Sequence, residues 1–140
     1  MINKELVIRK LVKLKEYLEE LRPLTQYTFS EYQQNNLVKR SSERILMLVV
    51  EVASDINSHF CVKLFKKPPT SYFDSFLMMG ELKILDDAFA KRLAQSAGLR
   101  NRLIHEYEDI DDETVHSLLT EAINDYTKYI EIVKNFINKA

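Results

Sequence analysis

Val7, Leu11, Leu14, Leu18 and Leu21 recur at alternating steps of four and three, while Lys10, Lys13, Glu16, Glu19 and Glu20 take the other faces. That period matches the 3.6-residue turn, so the stretch predicts an amphipathic first helix. Asn3 suits an N-cap, and Pro23 stops the helix near Arg22, because the residue before a proline is biased away from helical angles. Such a stripe can partner another helix in a coiled coil, although packing into the chain's own core is its commoner use. Residues 25–36 are polar with interspersed aromatics (Tyr27, Phe29, Tyr32), and residues 41–65 then become apolar almost all round, through Ile45, Leu46, Met47, Leu48, Val49, Val50 and Val52. A helix apolar on every side belongs at the centre of a bundle. One polar line interrupts it: Arg44, Glu51, Asp55 and His59, spaced seven, four and four, share a face. That line either faces solvent or borders a cleft shared with a neighbouring helix.

Pro68-Pro69 ends the central element, and Thr70-Ser71 followed by Asp74 resembles a capping box for a short helix through Phe73, Phe76, Leu77 and Met78. Gly80 is expected to close that helix. A further helix opens at Leu85-Asp86 and runs through Phe89, Leu93, Ala97 and Ile104. Gly98 lies inside it at a propensity cost of about 1 kcal/mol relative to alanine. Either the helix restarts there or another backbone packs closely, and close packing is the expectation. Five acids in residues 108–113 end this helix and begin another, with Asp111 as the cap and Asp112 and Glu113 complementing the positive helix end. A calcium loop is disfavoured, since the glycine required midway through one is missing. Val115, Leu118, Leu119, Ala122, Ile123, Tyr126, Ile130, Val133 and Ile137 make the last helix an unbroken core stripe.

Two glycines and three prolines in 140 residues are too few for the turns of a sandwich or barrel. The expected fold class is therefore all-α, an up-and-down bundle of four to five helices forming a single domain over residues 1–140. A formal net charge of −1 gives no global basic footprint for nucleic acid, so any such contact must be local. The one cysteine, Cys61, excludes an intramolecular disulfide and suits a reducing compartment, with burial as a small hydrophobe its expected role. No signal-peptide core is visible in the first 22 residues, and no membrane span or membrane partner is expected, which makes a cytoplasmic location the default.

Chemistry concentrates in Arg100-Asn101-Arg102-Leu103-Ile104-His105-Glu106-Tyr107. On a helix Asn101 stacks beside His105, and Arg100 lies nearly in line with Tyr107. Arg100 and His105, five apart, sit about 140° apart round the axis, so a second copy of the helix would be needed to close a site between them. The three histidines (His59, His105, His116) fall on three different predicted helices, so no metal-ligand spacing exists and no cofactor is expected. Phosphate-binding glycine loops, dinucleotide fingerprints and nucleophile elbows are all missing. Judged by residues alone, such a His and Arg cluster is more often a surface or interface patch than a catalytic site.

Arg-x-x-x-x-His with a polar residue after the arginine resembles the signature of the HEPN superfamily, and Arg100 to Tyr107 looks like the longer Arg-x-x-x-x-His-x-Tyr form of its HepT-like toxins. The likeness extends from about Arg40 to Leu119. It takes in the apolar helix with its Glu51-to-His59 polar stretch, the Pro68-Pro69-x-Ser-Tyr segment, the helix from Asp86 into the motif and the Asp-rich turn after it. The resemblance implies a HEPN-like homodimer whose two motif helices meet in a cleft and cut RNA without a metal. Arg100 and His105 would be catalytic, Asn101 and Arg102 supporting or RNA-binding, and Arg44, Glu51, Asp55 and His59 candidate cleft-lining residues. It also implies a type VII-like toxin–antitoxin pair, in which a small nucleotidyltransferase antitoxin silences the ribonuclease by AMP transfer to Tyr107. The alternative is a non-catalytic HEPN helical module that binds a partner protein or nucleotide.

Overall fold

Helix α1 (Lys4–Leu21) begins where the Asn3 side chain accepts the Leu6 amide, and it buries Val7, Leu11, Leu14, Leu18 and Leu21 as the stripe requires. The computed structural model describes residues 1–105 and 111–139, without the side chains of Ile104 and His105. Pro23 falls in a 3-10 turn, Arg22–Gln26, that carries the chain away from α1. The polar, aromatic stretch that follows holds a short helix, α2 (Phe29–Gln34), which the apolar pattern did not announce. Its sign was a capping box: the Thr28 hydroxyl accepts the Glu31 amide at 3.1 Å and the Glu31 carboxylate accepts the Thr28 amide at 2.9 Å. Tyr32 from this helix is fully buried.

Helix α3 (Asn36–Phe60), capped by Asn35, begins five residues ahead of the apolar run and continues as a π-helical turn, Cys61–Phe65. It is the central element, packing against α1, α2, α4 (Tyr72–Glu81), α5 (Asp87–His105) and α6 (Asp112–Lys139). The described residues thus form an all-α bundle of six helices, five substantial ones as the pattern indicated plus α2. By length and composition residues 36–65 could cross a membrane, more readily than the sequence reading allowed, but half of the apolar 18-residue stretch within them is buried in the bundle. Cys61 is buried there, and burial, with Asp74 and Glu81 adding to it, pushes its thiol up to about 11. A thiol so protonated is a packing group, not a nucleophile.

Neither glycine has the role expected of it. Gly80 lies inside α4, where an added Cβ would stand 3.0 Å from the Ala90 methyl and 3.2 Å from Asp87 Oδ1, so it is here that two helices approach closely. Gly98 has nothing among the described residues within 4 Å of such a Cβ, and α5 runs through it without a restart. The turn after α4 is closed instead by Lys83 and that after α3 by Lys66, both at φ 62°. Across the core, the Tyr129 hydroxyl donates to Asn57 Oδ1 at 2.6 Å, Asn57 Nδ2 donates to Ser75 Oγ at 3.1 Å, and Ser75 Oγ donates to the Tyr72 carbonyl at 2.7 Å. This chain ties α6, α3 and the first turn of α4 together with every step satisfied, as a buried polar network must be if it is to rigidify a core.

Candidate active site

Arg100 is placed by the same periodicity that buries α5. It follows Leu93 by seven residues and Ala97 by three, both buried, so the helix turns its side chain inward with them. Only 17% of that side chain stays exposed. A guanidinium carried inward has to be paired, and three groups surround this one. Glu51 on α3 accepts from Nη2 at 2.9 Å, Asn101 Oδ1 accepts from Nη1 at 3.1 Å, and the Tyr72 ring at the start of α4 lies 4.5 Å from the guanidinium carbon. Arg100 Nε is buried and has no hydrogen-bond partner among the described residues.

Beside this cluster opens a cleft of about 290 Å³ between α3, α5 and α6. Leu46 and Val49 contribute from α3, Leu99 and Leu103 from α5, and Leu118 and Ala122 from α6, while Arg100 and Arg102 border it as well. Arg102 is exposed and Asn101 half-buried. Farther along the cleft Arg92 crosses from α5 to α6, its Nε 2.8 Å from Asp125 and its Nη2 3.1 Å from Glu121. The cleft therefore has apolar walls with three arginines along it, of which Arg92 is paired with Asp125 and Glu121 and Arg100 with Glu51.

The polar line on α3 divides. Glu51 reaches Arg100, whereas Asp55 pairs with Lys10 of α1 at 3.3 Å and His59 accepts the amide of Asn3, the N-cap of α1, at 3.0 Å. Arg44 is exposed, and none of the four lines the 290 Å³ cleft. Sharing one face did not mean sharing one neighbour, because the helices that cross α3 change along its length. Burial, with Lys63 and the N-terminal ammonium adding to it, holds His59 below the usual imidazole range. His105 lies in the last turn of α5; its side chain, and Tyr107 with residues 106–110, fall outside the described residues. Tyr72 entered the sequence reading only as the last residue of the Pro68-Pro69-x-Ser-Tyr segment, with no role, and Arg92 did not enter it. Nothing in local spacing links residue 72 to residue 100, or residue 92 to residues 121 and 125.

Comparison with known proteins points to one group. The model of a family described as ribonuclease HepT-like matches residues 14–133. The tRNA nuclease HepT of Aphanizomenon flos-aquae is 33% identical over 121 residues, covering 86% of this chain and 82% of that protein. The mRNA nuclease HepT of Shewanella oneidensis is 21% identical over 130 residues, covering 93% and 97% respectively. Among solved structures, the tri-AMPylated Shewanella oneidensis HEPN toxin in complex with MNT antitoxin superposes with a TM-score of 0.84 at 21% identity, covering 92% of this chain and 96% of that one.

Proposed function

The chain belongs to the HepT-like ribonucleases, and on that premise we propose that it is the toxin of a toxin–antitoxin pair, a metal-independent endoribonuclease built from Arg100 and His105 and silenced by a nucleotidyltransferase partner. The observation that carries the reading is Arg100 itself. A planar guanidinium, fixed on three sides beside a cleft and five residues ahead of a histidine on the same helix, is placed to meet a phosphate.

RNA brings its own nucleophile. An imidazole ordinarily titrates near pH ~6.5, so His105 can take the proton of a 2′-OH at neutral pH. The 2′-oxygen then attacks phosphorus, the bond to the 5′-oxygen breaks, and that oxygen leaves with a proton returned by a general acid. The products are a 2′,3′-cyclic phosphate and a 5′-hydroxyl. Arg100 stabilises the charge that builds on the phosphoryl oxygens, Arg102 adds backbone contact and Asn101 orients the neighbouring groups. The separation of about 140° between Arg100 and His105 is overcome when each arginine works with the histidine of a second copy, so the functional unit is a homodimer. Tyr107, two residues past His105, is the acceptor of AMP from the partner, and the added phosphodiester and adenine occupy the place of RNA. The Aphanizomenon relative makes tRNA the first substrate to try. Such a system works in the cytoplasm, where its RNA and ATP are.

Incubation with unfractionated tRNA in EDTA tests the reading. Fragments ending in cyclic phosphate are expected from the wild type and from neither Arg100→Ala nor His105→Ala. Activity that appears only with added divalent metal, or persists in His105→Ala, overturns it. Intact mass after co-expression with the nucleotidyltransferase should rise in steps of one AMP, and Tyr107→Phe should abolish those steps.

A further inference from the structure

The surroundings of Arg100 are more elaborate than pairing requires. One carboxylate would satisfy its charge, yet Glu51 holds Nη2, Asn101 holds Nη1 and the Tyr72 ring covers the guanidinium face at 4.5 Å. These contacts come from α3, α5 and α4, so the plane of the guanidinium is set by three separate helices. Tyr72 is itself anchored, since its carbonyl accepts from Ser75, which accepts from Asn57, which accepts from Tyr129. A buried hydrogen-bonded chain thus runs from α6 through α3 to the residue that covers Arg100.

Resting on the ribonuclease reading, we infer that Glu51 and Tyr72 are positioning residues, which hold the Arg100 guanidinium in the one orientation where its outward N–H bonds meet the scissile phosphate. Neither touches RNA. Glu51 fixes one end of the fork through Nη2, leaving that nitrogen a second hydrogen, and Tyr72 stops rotation about the long side chain by stacking on its face. The contrary role for Glu51 is a placeholder that occupies Arg100 until phosphate displaces it. Burial favours positioning: only 17% of the Arg100 side chain and 28% of the Glu51 side chain are exposed, and a guanidinium that swung away would leave a half-buried carboxylate unpaired. An arginine held on three sides acts where it stands, and its orientation is settled before substrate arrives.

The experiment uses the full chain and unfractionated tRNA as the probe, with kcat and KM measured separately for Glu51→Gln, Glu51→Asp, Tyr72→Leu and Tyr72→Phe. Melting curves and chromatographic size control for folding. Positioning predicts that Glu51→Gln and Tyr72→Leu lower kcat by at least about tenfold, with KM within about threefold, because the lost term is orientation in the transition state. Tyr72→Phe, which keeps the ring, should recover most of the rate lost in Tyr72→Leu, and Glu51→Asp should fall between wild type and Glu51→Gln. The Arg100 Nε–H resonance, identified by its disappearance in Arg100→Lys, should exchange with water faster in Glu51→Gln and Tyr72→Leu than in the wild type. Unchanged or raised kcat in Glu51→Gln, a loss confined to KM, or equal rates in Tyr72→Leu and Tyr72→Phe would overturn the positioning role while leaving the ribonuclease reading intact. A wild type that cleaves nothing would overturn the ribonuclease reading and this role with it.

Discussion

His59 accepts the Asn3 amide on Nε2, which only an unprotonated nitrogen can do, so the bond joining the start of α1 to the end of α3 exists for the neutral imidazole alone. Burial and the nearby Lys63 and N-terminal charges lower its pKa in the fold. The unfolded chain, with an ordinary histidine near ~6.5, therefore binds the proton first as pH falls. This contribution to stability is present above the unfolded pKa and is lost as pH drops through the lower folded value. Urea unfolding at pH 7.5 and at successive steps down to pH 5 should show the midpoint falling, and His59→Gln, whose side-chain oxygen can still accept the Asn3 amide, should flatten that dependence. Equal pH dependence in both proteins would mean that other groups control it. Arg100 obeys the complementary rule: a permanent cation carried inward needs fixed partners, and it has them in Glu51, Asn101 and the Tyr72 ring.

Helices α4 and α5 show how one residue type acts in opposite senses according to what faces it. Gly80→Ala would bring a methyl to 3.0 Å from the Ala90 Cβ, which is held by its own helix and cannot rotate away. Overpacking of this kind typically costs ~1–3 kcal/mol, against a helix-propensity gain of ~1 kcal/mol, so a net loss of about 1 kcal/mol is expected. Gly98→Ala meets nothing within 4 Å among the described residues and should stabilise α5 by about the propensity gain of ~1 kcal/mol. Chemical denaturation of the two variants should move the midpoint in opposite directions. A shift of the same sign in both would show that α4 and α5 are spaced differently in solution. Capping acts at this scale too: Thr28 with Glu31 forms a reciprocal capping box, whereas at α4 Ser71 Oγ accepts the Asp74 amide while the Asp74 carboxylate accepts from Thr70 instead of Ser71, so the box expected there is only half made.

At the scale of the whole molecule, five helices converge on α3 and leave a cleft of about 290 Å³ between α3, α5 and α6, with Arg100 and Arg102 beside it. Arg92 spans α5 and α6 through Asp125 and Glu121 along that cleft. The proposed pairing of each Arg100 with the histidine of a second copy predicts that light scattering at micromolar concentration gives about twice 16.5 kDa. A clean monomer that still cleaves RNA would show that the two residues act within a single chain. With a net charge of −1, RNA affinity must come from the arginines gathered at the site. Arg102→Ala should accordingly weaken tRNA binding in filter assays without altering the melting temperature.

The all-α class, the stripes of α1 and α6, the caps at Asn3 and Ser71 and the order of motif residues along α5 were all determined by the sequence, because each follows from neighbours within about one helical turn. Helix α2 was also written there, in Thr28-x-x-Glu31, although the eye follows apolar period before caps. Only the tertiary structure decided that Glu51 meets Arg100 while Asp55 and His59 turn to α1, that Tyr72 covers the guanidinium, and that Gly80 rather than Gly98 marks a close approach. Periodicity states which face of a helix is apolar. It does not state which helix crosses that face or at what height, and the partners of Arg100 depend on those crossings between segments dozens of residues apart.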